Sequence, residues 1–504
     1  MKKQYLLAID LGTSSCKTAV FDRQGSVVDS AGSAYPVYYP HPGWAQQDPE
    51  EWWKGVCNAL NTIWNNGKVS PSDIACIGID GQSWSAIPID RDGKVLYPTP
   101  IWMDQRAKKQ CEEAGARIGK DAVFEVCGNP LLPSYTTGKV LWYREEMPEL
   151  YSRIDKILQS NSFLVYKLTG EVTQDVSQGY GWHCFDMRHG CWDSQMMRAF
   201  GIEESFLPPI LQCDEIAGTV TAEAAALSGL LEGTPVVAGG LDAACGTLGA
   251  GVLRNGETQE QGGQAGGMSI CLDTYKADPR LIMSFHAVPG KWILQGGTVG
   301  GGGVMRWFEK EFGAYERSIA GETGKSSLVQ LTDQAEKVAP GCDGLVFLPY
   351  MSGERTPIWD PDAKGVFYGL DFSKSKGHFV RACMEGVAYS LRHNLEVASE
   401  AGADVEVMRA VGGSANSLLW TQIKADVTGK PIVVPYADEA TTLGAAMLAG
   451  VRCGIYASYE EAVALTVRET RRHEPNPEQK EAYDRAYAIY RGLYADLKDR
   501  MHGA

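Results

Sequence analysis

The sequence predicts an α/β protein whose two domains enclose a cleft. The chain has 504 residues, more than one hydrophobic core usually organises, so two or three domains are expected. Each half opens with a strand, a glycine-rich turn and a second strand, and no low-complexity segment separates the halves. The predicted domains are residues 1–250 and 251–504. Ligands commonly bind in the cleft of such an arrangement.

The composition excludes several functional classes. The formal net charge is −15, whereas proteins that bind the phosphate backbone of nucleic acids need basic surfaces. No apolar run reaches the roughly 20 residues that a membrane-spanning helix requires, and the amino terminus lacks the apolar region of a secretory signal. The 13 cysteines show no CxxC pair, which is typical of reduced cytoplasmic thiols. We therefore expect a cytoplasmic protein without nucleic-acid or membrane partners.

The first glycine turn is predicted to join two strands rather than a strand and a helix. Residues 5–10 form an apolar run that ends in Asp10, and the pattern after the turn predicts another strand. Successive backbone N–H groups in such a turn can form a concavity that binds an anion. The candidate phosphate-binding residues are Gly12, Thr13, Ser14 and Lys17. Asp10 could hold Mg²⁺ through water, although an ordinary hairpin turn explains this short pattern equally well.

A polar turn at residues 81–85, between two apolar strands, is a second candidate for ligand contacts. Loops on a rigid scaffold often carry binding residues, and the candidates here are Gln82, Ser83 and Trp84. Asp104 lies close to Arg106 further along the chain. This pair is either part of the same site or a surface ion pair of little energetic consequence.

The stretch at 234–251 contains the candidate for catalysis. An apolar run predicts a buried strand, Gly239 and Gly240 mark the exit from it, and the small residues that follow suit a closely packed helix start. Asp242 lies at this junction, near the middle of the chain. Taken alone, the position favours a helix N-cap, because Asp is among the best N-cap residues. The motifs elsewhere in the chain favour a catalytic base.

The second half repeats the hairpin pattern without repeating its residues. Residues 257–275 predict a polar strand, a glycine-rich turn and an apolar strand, and residues 292–312 predict a strand, a glycine turn and a helix. Glycine at this density costs chain entropy, and close approach of the backbone to a ligand would explain it. The segment GGSAN places Asn416 at a predicted helix start, either as a cap or as a nucleotide contact.

Six motifs along residues 5–455 resemble, in order, those of the FGGY carbohydrate kinases, which belong to the actin-like, ribonuclease H-like ATPase superfamily. The motifs are DLGTSSCKT, GWAQQDPEEWW, SYTTGKVLW, GVFYGL followed by HFVRACME, GGSAN and ATTLGAAMLAG. Each is short, but six in order over most of a chain are specific. The resemblance implies two ribonuclease H-like, actin-like domains flanking a cleft. It also implies transfer of the γ-phosphoryl group of ATP, with Mg²⁺, to a sugar hydroxyl.

The resemblance also assigns roles to residues. Asp242, in its Gly-Gly-x-Asp setting, matches the catalytic base. The implied nucleotide-binding positions are Gly12, Thr13, Ser14, Lys17, Gln264, Gly302, Gly412, Gly413 and Asn416. The implied sugar-side positions are Gln82, Ser83, Trp84, Asp104 and Asp242. Gln264 stands where the family often has Thr, so the expected hydroxyl contact is missing there.

The identity of the substrate follows less directly from the resemblance. Xylulose kinases usually carry Met-His in the turn that reads Gln82-Ser83-Trp84 here, and their base is usually followed by Asn, not by Ala243. The stretch FLPYMSGERTPIWDP is nevertheless closer to that branch than to glycerol kinases, so a ketopentose ranks first. Alternatives are other sugars or polyols, and a non-catalytic sugar- or nucleotide-binding role. An actin-like chaperone ATPase or filament protein is a further alternative, and a homodimer remains open.

Overall fold

The computed structural model describes residues 4–436 and 439–503. The strands of the first half are β1 (Tyr5–Leu11), β2 (Ser15–Phe21), β3 (Val27–Ala34), β4 (Gln46–Gln47), β5 (Ile74–Gly81), β6 (Ile87–Ile89), β7 (Thr99–Pro100), β8 (Lys156–Leu158), β9 (Gln174–Asp175), β10 (Phe185–Asp186), β11 (Cys191–Trp192), β12 (Ile210–Leu211), β13 (Ile216–Thr219), β14 (Pro235–Val237) and β15 (Gly240–Leu241). Its helices are α1 (Pro49–Asn66), α2 (Lys108–Ile118), α3 (Lys120–Cys127), α4 (Thr136–Glu146), α5 (Pro148–Tyr151), α6 (Ser160–Thr169), α7 (Ser194–Phe200), α8 (Ala222–Ser228) and α9 (Asp242–Gly249).

The second half is also a mixture of strands and helices. Its strands are β16 (Glu257–Gly262), β17 (Gly266–Leu272), β18 (Ile282–Phe285), β19 (Trp292–Thr298), β20 (Val346–Leu348), β21 (Val366–Tyr368), β22 (Val407–Val411), β23 (Ile432–Tyr436) and β24 (Arg468–His473). Its helices are α10 (Gly302–Phe312), α11 (Ala314–Ser318), α12 (Ala320–Thr323), α13 (Ser327–Ala335), α14 (Lys376–Glu400), α15 (Leu418–Thr428), α16 (Ala440–Arg452), α17 (Tyr459–Thr466) and α18 (Lys480–His502).

The two large sheets are built in the same way. In the first, the strand order is β13-β14-β5-β1-β2-β3, and β15 also pairs with β5. In the second, the order is β18-β19-β17-β16-β22-β23-β24. Each contains an antiparallel glycine hairpin, β1–β2 or β16–β17, whose first strand runs parallel to a later strand, β5 or β22. The predicted pair of glycine hairpins is therefore confirmed, while the boundary near residue 250 stays a prediction.

Helix α16 connects the two halves. It lies between β23 and β24 of the second sheet in the chain, yet it packs on β1 and β5 of the first sheet and on α9. The contact is between backbones: a Cβ atom at Gly444 would overlap the carbonyl oxygen of Cys245, and one at Gly249 would overlap that of Ala440. A Cβ at Gly78 on β5 would likewise overlap the carbonyl oxygen of Ala445. The small residues after Asp242 thus allow the close packing that the sequence predicted.

Local helix signals also agree with the structure. Asp48 is the N-cap of α1 and accepts a hydrogen bond from the Glu50 N–H at 3.0 Å, with Pro49 in the first turn, as the DP pair predicts. The polar turn after β5 leads into β6, which leaves the large sheet and pairs with β8. Among the described residues, no helix combines the length and apolar character needed to cross a membrane.

Candidate active site

A cavity of about 350 Å³ lies where the two halves meet. Its first-half lining includes Thr13, Ser83, Trp84, Trp102, Tyr180 and Asp242, and its second-half lining includes Gln261, Gln264, Met268, Ser269, Gln295 and Arg355. A cavity of about 430 Å³ on the second half, lined by residues such as Arg392 and Lys480, contains none of the predicted site residues. The smaller cavity is therefore the candidate active site.

Asp242 faces this cavity from the first turn of α9. Leu241 occupies the N-cap position, and the Asp242 carboxylate accepts a hydrogen bond from the N–H of Ala243 at 2.6 Å. Burial, and secondarily the negative charge of Asp10, raises the pKa of Asp242 to about 7. A carboxylate with this pKa can take up a proton near neutral pH. The structure thus places the predicted base on the cavity wall rather than in the N-cap position.

Asp80 is a buried carboxylate that the sequence reasoning missed. It is the penultimate residue of β5, opposite Asp10 in the parallel register of β1 and β5. Neither carboxylate oxygen of Asp80 accepts a hydrogen bond from a described N–H or hydroxyl group. Burial, then the charge of Asp10, raises the pKa of Asp80 well above its usual range. The missed signal was that both apolar strands carry Ile-Asp just before their last residue, so that two acids reach the same edge of the sheet.

Asp10 shares this acidic environment. Burial raises its pKa to about 6, although a hydrogen bond with Asp80 and the nearby charge of Lys17 both oppose the rise. A cation would stabilise the ionised forms of the Asp10, Asp80 and Asp242 carboxyl groups. Mg²⁺ usually binds one or two carboxylates together with substrate phosphates. The raised pKa values, and the lack of N–H or hydroxyl donors to Asp80 among the described residues, therefore fit a site for Mg²⁺ at Asp10.

The first glycine turn is held in a hydrogen-bond network. The Thr13 hydroxyl donates to Gln82 at 3.2 Å and accepts from the Trp102 indole at 3.0 Å. Gln82 in turn donates to Gln47 at 2.9 Å, and Gln47 donates to the Thr13 carbonyl at 2.8 Å. The network links a predicted phosphate residue to a predicted sugar-side residue. Gln82 itself is buried behind the cavity wall.

The remaining residues of this hairpin lie at its exposed tip and on its second strand. Ser14 is exposed. The Lys17 ammonium group pairs with the Glu439 carboxylate at the start of α16. This pair connects the first hairpin to the second half of the chain. A phosphate role for Ser14 and Lys17 stays a prediction.

The second hairpin packs against the start of α10. The N–H of Gly302 donates to the Gly263 carbonyl at 2.8 Å, and that of Gly303 donates to the Gln264 carbonyl at 2.9 Å. Gln264 lines the cavity, and its side-chain oxygen accepts a hydrogen bond from Arg306. The glycines thus allow the helix start and the hairpin turn to touch through their backbones.

The GGSAN turn lies between β22 and α15, outside the lining of the cavity. Gly412 has a φ of 84° and lies against the backbone of Gly262, and Gly413 and Asn416 are exposed. Ser417, not Asn416, is the N-cap of α15 and accepts a hydrogen bond from the Trp420 N–H at 3.2 Å. The cap alternative for Asn416 is therefore wrong, and its nucleotide role stays a prediction.

Trp84 and Ser83 line the cavity on its first-half side, where the sequence predicts sugar contacts. Trp84 has a φ of 62°, which is unusual for a bulky residue, and its ring stacks on Tyr135 with centroids 4.1 Å apart. The buried Lys139 ammonium group donates to the Trp84 carbonyl at 2.6 Å, and burial lowers the pKa of Lys139 to about 7. The Tyr180 hydroxyl donates to Ser83 at 2.7 Å. Helix α4, which carries Lys139 and follows Tyr135 directly, thus holds the polar turn in place.

Asp104 lies away from the cavity lining. It is fully buried, and its two carboxylate oxygens accept hydrogen bonds from Nε and Nη2 of Arg106 at 2.8–3.0 Å. Another Asp104 hydrogen bond, at 2.7 Å, comes from the N–H of Ala45. Asp104 therefore supports the loops behind the site, and the pair is buried rather than a surface ion pair.

Comparisons with known proteins agree with this geometry. Residues 5–249 match the N-terminal domain of the FGGY family of carbohydrate kinases, and residues 272–453 match its C-terminal domain. The xylulose kinase of Bacillus subtilis is 30% identical over 98% of both chains, and the gluconokinase of the same organism is 31% identical over 99% of this chain and 98% of its own. The crystal structure of xylulose kinase from Rhodospirillum rubrum superposes with a TM-score of 0.89 at 30% identity, covering 99% of this chain and 100% of its own.

The two family-model matches include the first sheet, Asp242 and the polar turn after β5, but they leave out residues 250–271, which contain nearly all of the second hairpin, and strand β24 of the second sheet. The chain-long likeness to sugar kinases extends over these residues too. This protein belongs to the FGGY family of carbohydrate kinases.

Proposed function

We propose that the protein transfers the γ-phosphoryl group of ATP to a hydroxyl of a ketopentose such as xylulose, or of a related sugar. The observation that carries this proposal is the Asp242 carboxylate in a cavity lined by the turns of both glycine hairpins. Phosphoryl transfer depends mainly on positioning and on charge stabilisation. The cavity offers one carboxylate toward an acceptor and backbone N–H groups toward phosphates.

In this mechanism Asp242 orients the acceptor hydroxyl and takes its proton as the oxygen attacks the γ-phosphorus. Trp84, Trp102 and Tyr180 provide apolar faces and hydrogen-bonding edges on which a sugar can stack. The turns at Gly12 and Gly263 approach the nucleotide through backbone rather than side chains. Mg²⁺ held at Asp10 would offset the charge of the phosphate oxygens. Asp80, in contact with Asp10, would help to position that carboxylate.

The choice of a ketopentose is supported by the relatives. Xylulose kinases are prominent among them, but a gluconokinase of similar identity and a glycerol kinase structure from Plasmodium falciparum, with 25% identity and a TM-score of 0.86, have the same fold. The polar turn with Trp84 also departs from the xylulose-kinase pattern. Ribulose, ketohexoses, pentitols and glycerol are therefore the alternative acceptors.

A coupled ADP-release screen tests the proposal. The purified protein is assayed with Mg-ATP and each of a set of ketopentoses, pentitols, ketohexoses, aldonates and glycerol. We expect acceptor-dependent ADP release that is greatest with a ketopentose. ADP release that no acceptor changes would favour an actin-like ATPase, and no ADP release with any acceptor would favour a non-catalytic binding protein.

A further inference from the structure

Arg355 is a cation in the cavity that the proposed mechanism does not use. It lies in the loop between β20 and β21, in the second half of the chain, and its side chain lines the same cavity as Asp242. These two are the only charged side chains among the described residues that line this cavity. An acceptor large enough to fill the cavity would therefore contact both charges.

The Arg355 guanidinium is unpaired among the described residues, unlike that of Arg106, a buried arginine that also lies near a tryptophan. Arg106 donates to both oxygens of Asp104 at 2.8–3.0 Å, and its guanidinium lies 3.9 Å from the centroid of the Trp44 ring. Arg355 lies 5.8 Å from the centroid of Trp102, but within residues 4–436 and 439–503 its guanidinium donates no hydrogen bond and has no acidic partner within 4.0 Å. Burial lowers the pKa of Arg355.

The neighbouring acid does not satisfy this cation. The Glu354 carboxylate accepts hydrogen bonds from the Thr298 hydroxyl at 2.5 Å, the Val299 N–H at 2.8 Å and the backbone N–H of Arg355 at 2.8 Å. Burial raises the pKa of Glu354 to about 7, so its negative charge is weakened near neutral pH. The guanidinium is thus left facing the cavity, where Gly297 makes room for it: a Cβ there would lie 2.5 Å from Nη2.

The location of Arg355 points to the acceptor rather than to the reacting centre. Arg355 lies 5.8 Å from the centroid of the Trp102 ring, and Trp102 lines the cavity together with the predicted sugar-side residues Ser83 and Trp84. The charge of Arg355 also affects the pKa of Tyr135 and Tyr180, which pack around that turn. A guanidinium has a planar fork of N–H donors that suits two adjacent oxygen atoms, and the half-buried guanidinium of Arg355 has no such partners among the described residues.

We propose that Arg355 binds two adjacent oxygens of the acceptor, at the end away from the hydroxyl that Asp242 deprotonates. The two oxygens are either neighbouring hydroxyls of a neutral sugar or the carboxylate of a sugar acid. This inference rests on the proposed kinase function. It makes Arg355 a specificity-determining residue, and it means that an acceptor contacts both halves of the chain when it is bound.

The test compares Arg355→Gln and Arg355→Lys with the unaltered protein. Arg188→Gln, which removes an exposed arginine paired with Glu125, is the matched control. The Michaelis constants for acceptor and for ATP are measured with acceptors of equal carbon number, namely xylulose against xylonate and fructose against gluconate. We expect Arg355→Gln to raise the acceptor KM about tenfold or more, because hydrogen bonds to a charged group are lost. The KM for ATP should change less than about twofold.

The acceptor pairs distinguish the two sources of oxygens. If the unaltered protein prefers the sugar acid to the neutral sugar, and Arg355→Gln loses this preference, then Arg355 binds a carboxylate. An equal rise of KM for neutral acceptors identifies neighbouring hydroxyls. Arg355→Lys keeps the positive charge but not the planar fork of N–H donors. Its acceptor KM should therefore lie between that of the unaltered protein and that of Arg355→Gln. An unchanged acceptor KM, or an equal rise in the KM for ATP, would overturn the proposal.

Direct binding separates failure of this inference from failure of the kinase function. Acceptor binding is followed by tryptophan fluorescence, since Trp84 and Trp102 line the cavity, and by calorimetry without nucleotide. If no acceptor promotes ADP release, but a sugar binds the unaltered protein and binds Arg355→Gln at least about tenfold more weakly, the kinase proposal fails and the role of Arg355 stands. Melting temperatures check that the variants are folded.

Discussion

The two glycine hairpins have similar backbones but different electrostatics. In the first, Asp10 precedes the turn and lies opposite Asp80, so acidic groups concentrate at the end of the hairpin. In the second, Gln261 occupies the equivalent position before the turn. The nearby Glu260 is neutralised by Lys424 at 2.6 Å, with both side chains at most 4% exposed. The same hairpin backbone therefore occurs twice and could approach a nucleotide from two sides. The carboxylates that would need a cation, Asp10 and Asp80, lie at the first hairpin.

The largest expected effect is on the acidic side of this comparison. Asp242→Asn removes the proposed base but keeps the shape of the side chain, and general-base catalysis contributes about 10²–10⁴-fold. We expect kcat to fall by that factor while ATP affinity changes little. Coupled ADP release and calorimetry measure the two quantities. Asp273→Asn, which alters an exposed acid, is the control, and near-normal turnover in Asp242→Asn would remove the assignment.

The contact that joins the two halves gives the next prediction. Gly444→Ala would push a methyl group into the carbonyl oxygen of Cys245, and overpacking of this kind typically costs about 1–3 kcal/mol. Because backbone atoms of α9 and α16 lie on both sides of this contact, movements of side chains cannot relieve the clash. Urea unfolding should show a lower free energy of unfolding.

Gly492→Ala is the matched control for this change. Gly492 lies in the exposed part of α18, where an added Cβ would meet nothing within 4 Å. Because glycine is unfavourable within a helix, this substitution should stabilise by about 0.5–1 kcal/mol. Equal effects at positions 444 and 492 would contradict the close α9–α16 packing.

Asp10→Asn would make the first hairpin resemble the second. If Asp10 holds Mg²⁺, the Mg²⁺ concentration for half-maximal activity should rise about tenfold or more, as losses at metal sites commonly do. Calorimetric titration with Mg-ADP gives an independent measurement. An unaltered Mg²⁺ dependence would place the metal elsewhere and leave the acidic cluster without its proposed role.

The smallest expected effect is the dependence on pH. A base must be ionised, and the pKa of Asp242 is raised to about 7, so kcat/KM should fall as the pH drops below 7, approaching tenfold per unit. The effect on stability has the opposite direction. Because the folded protein holds this proton more tightly than the unfolded chain, stability should decrease as the pH rises from about 4 to 7. Asp242→Asn should weaken that slope when melting temperatures are measured without Mg²⁺.

The elements that follow a local pattern could be predicted from the sequence. Apolar runs broken by glycine predicted both hairpins, and the strand-to-helix junction predicted the place of Asp242. Asp80 was missed, although the two Ile-Asp strand ends carried the signal, because its role depends on which strands are neighbours. Arg355 could not be found in this way. It lies on an irregular loop, and its importance comes from the partners that it lacks in the folded protein.

The packing of α16 on the first sheet has a consequence for synthesis of the chain. Strands β1 and β5 leave the ribosome early, but the helix that covers Leu6 and Ala8 begins only at Ala440. At about 5–20 residues per second, this apolar face waits on the order of tens of seconds for its cover. Transiently exposed apolar surface of this kind favours aggregation during synthesis, and a fragment that ends before α16 would lack the helix that covers it.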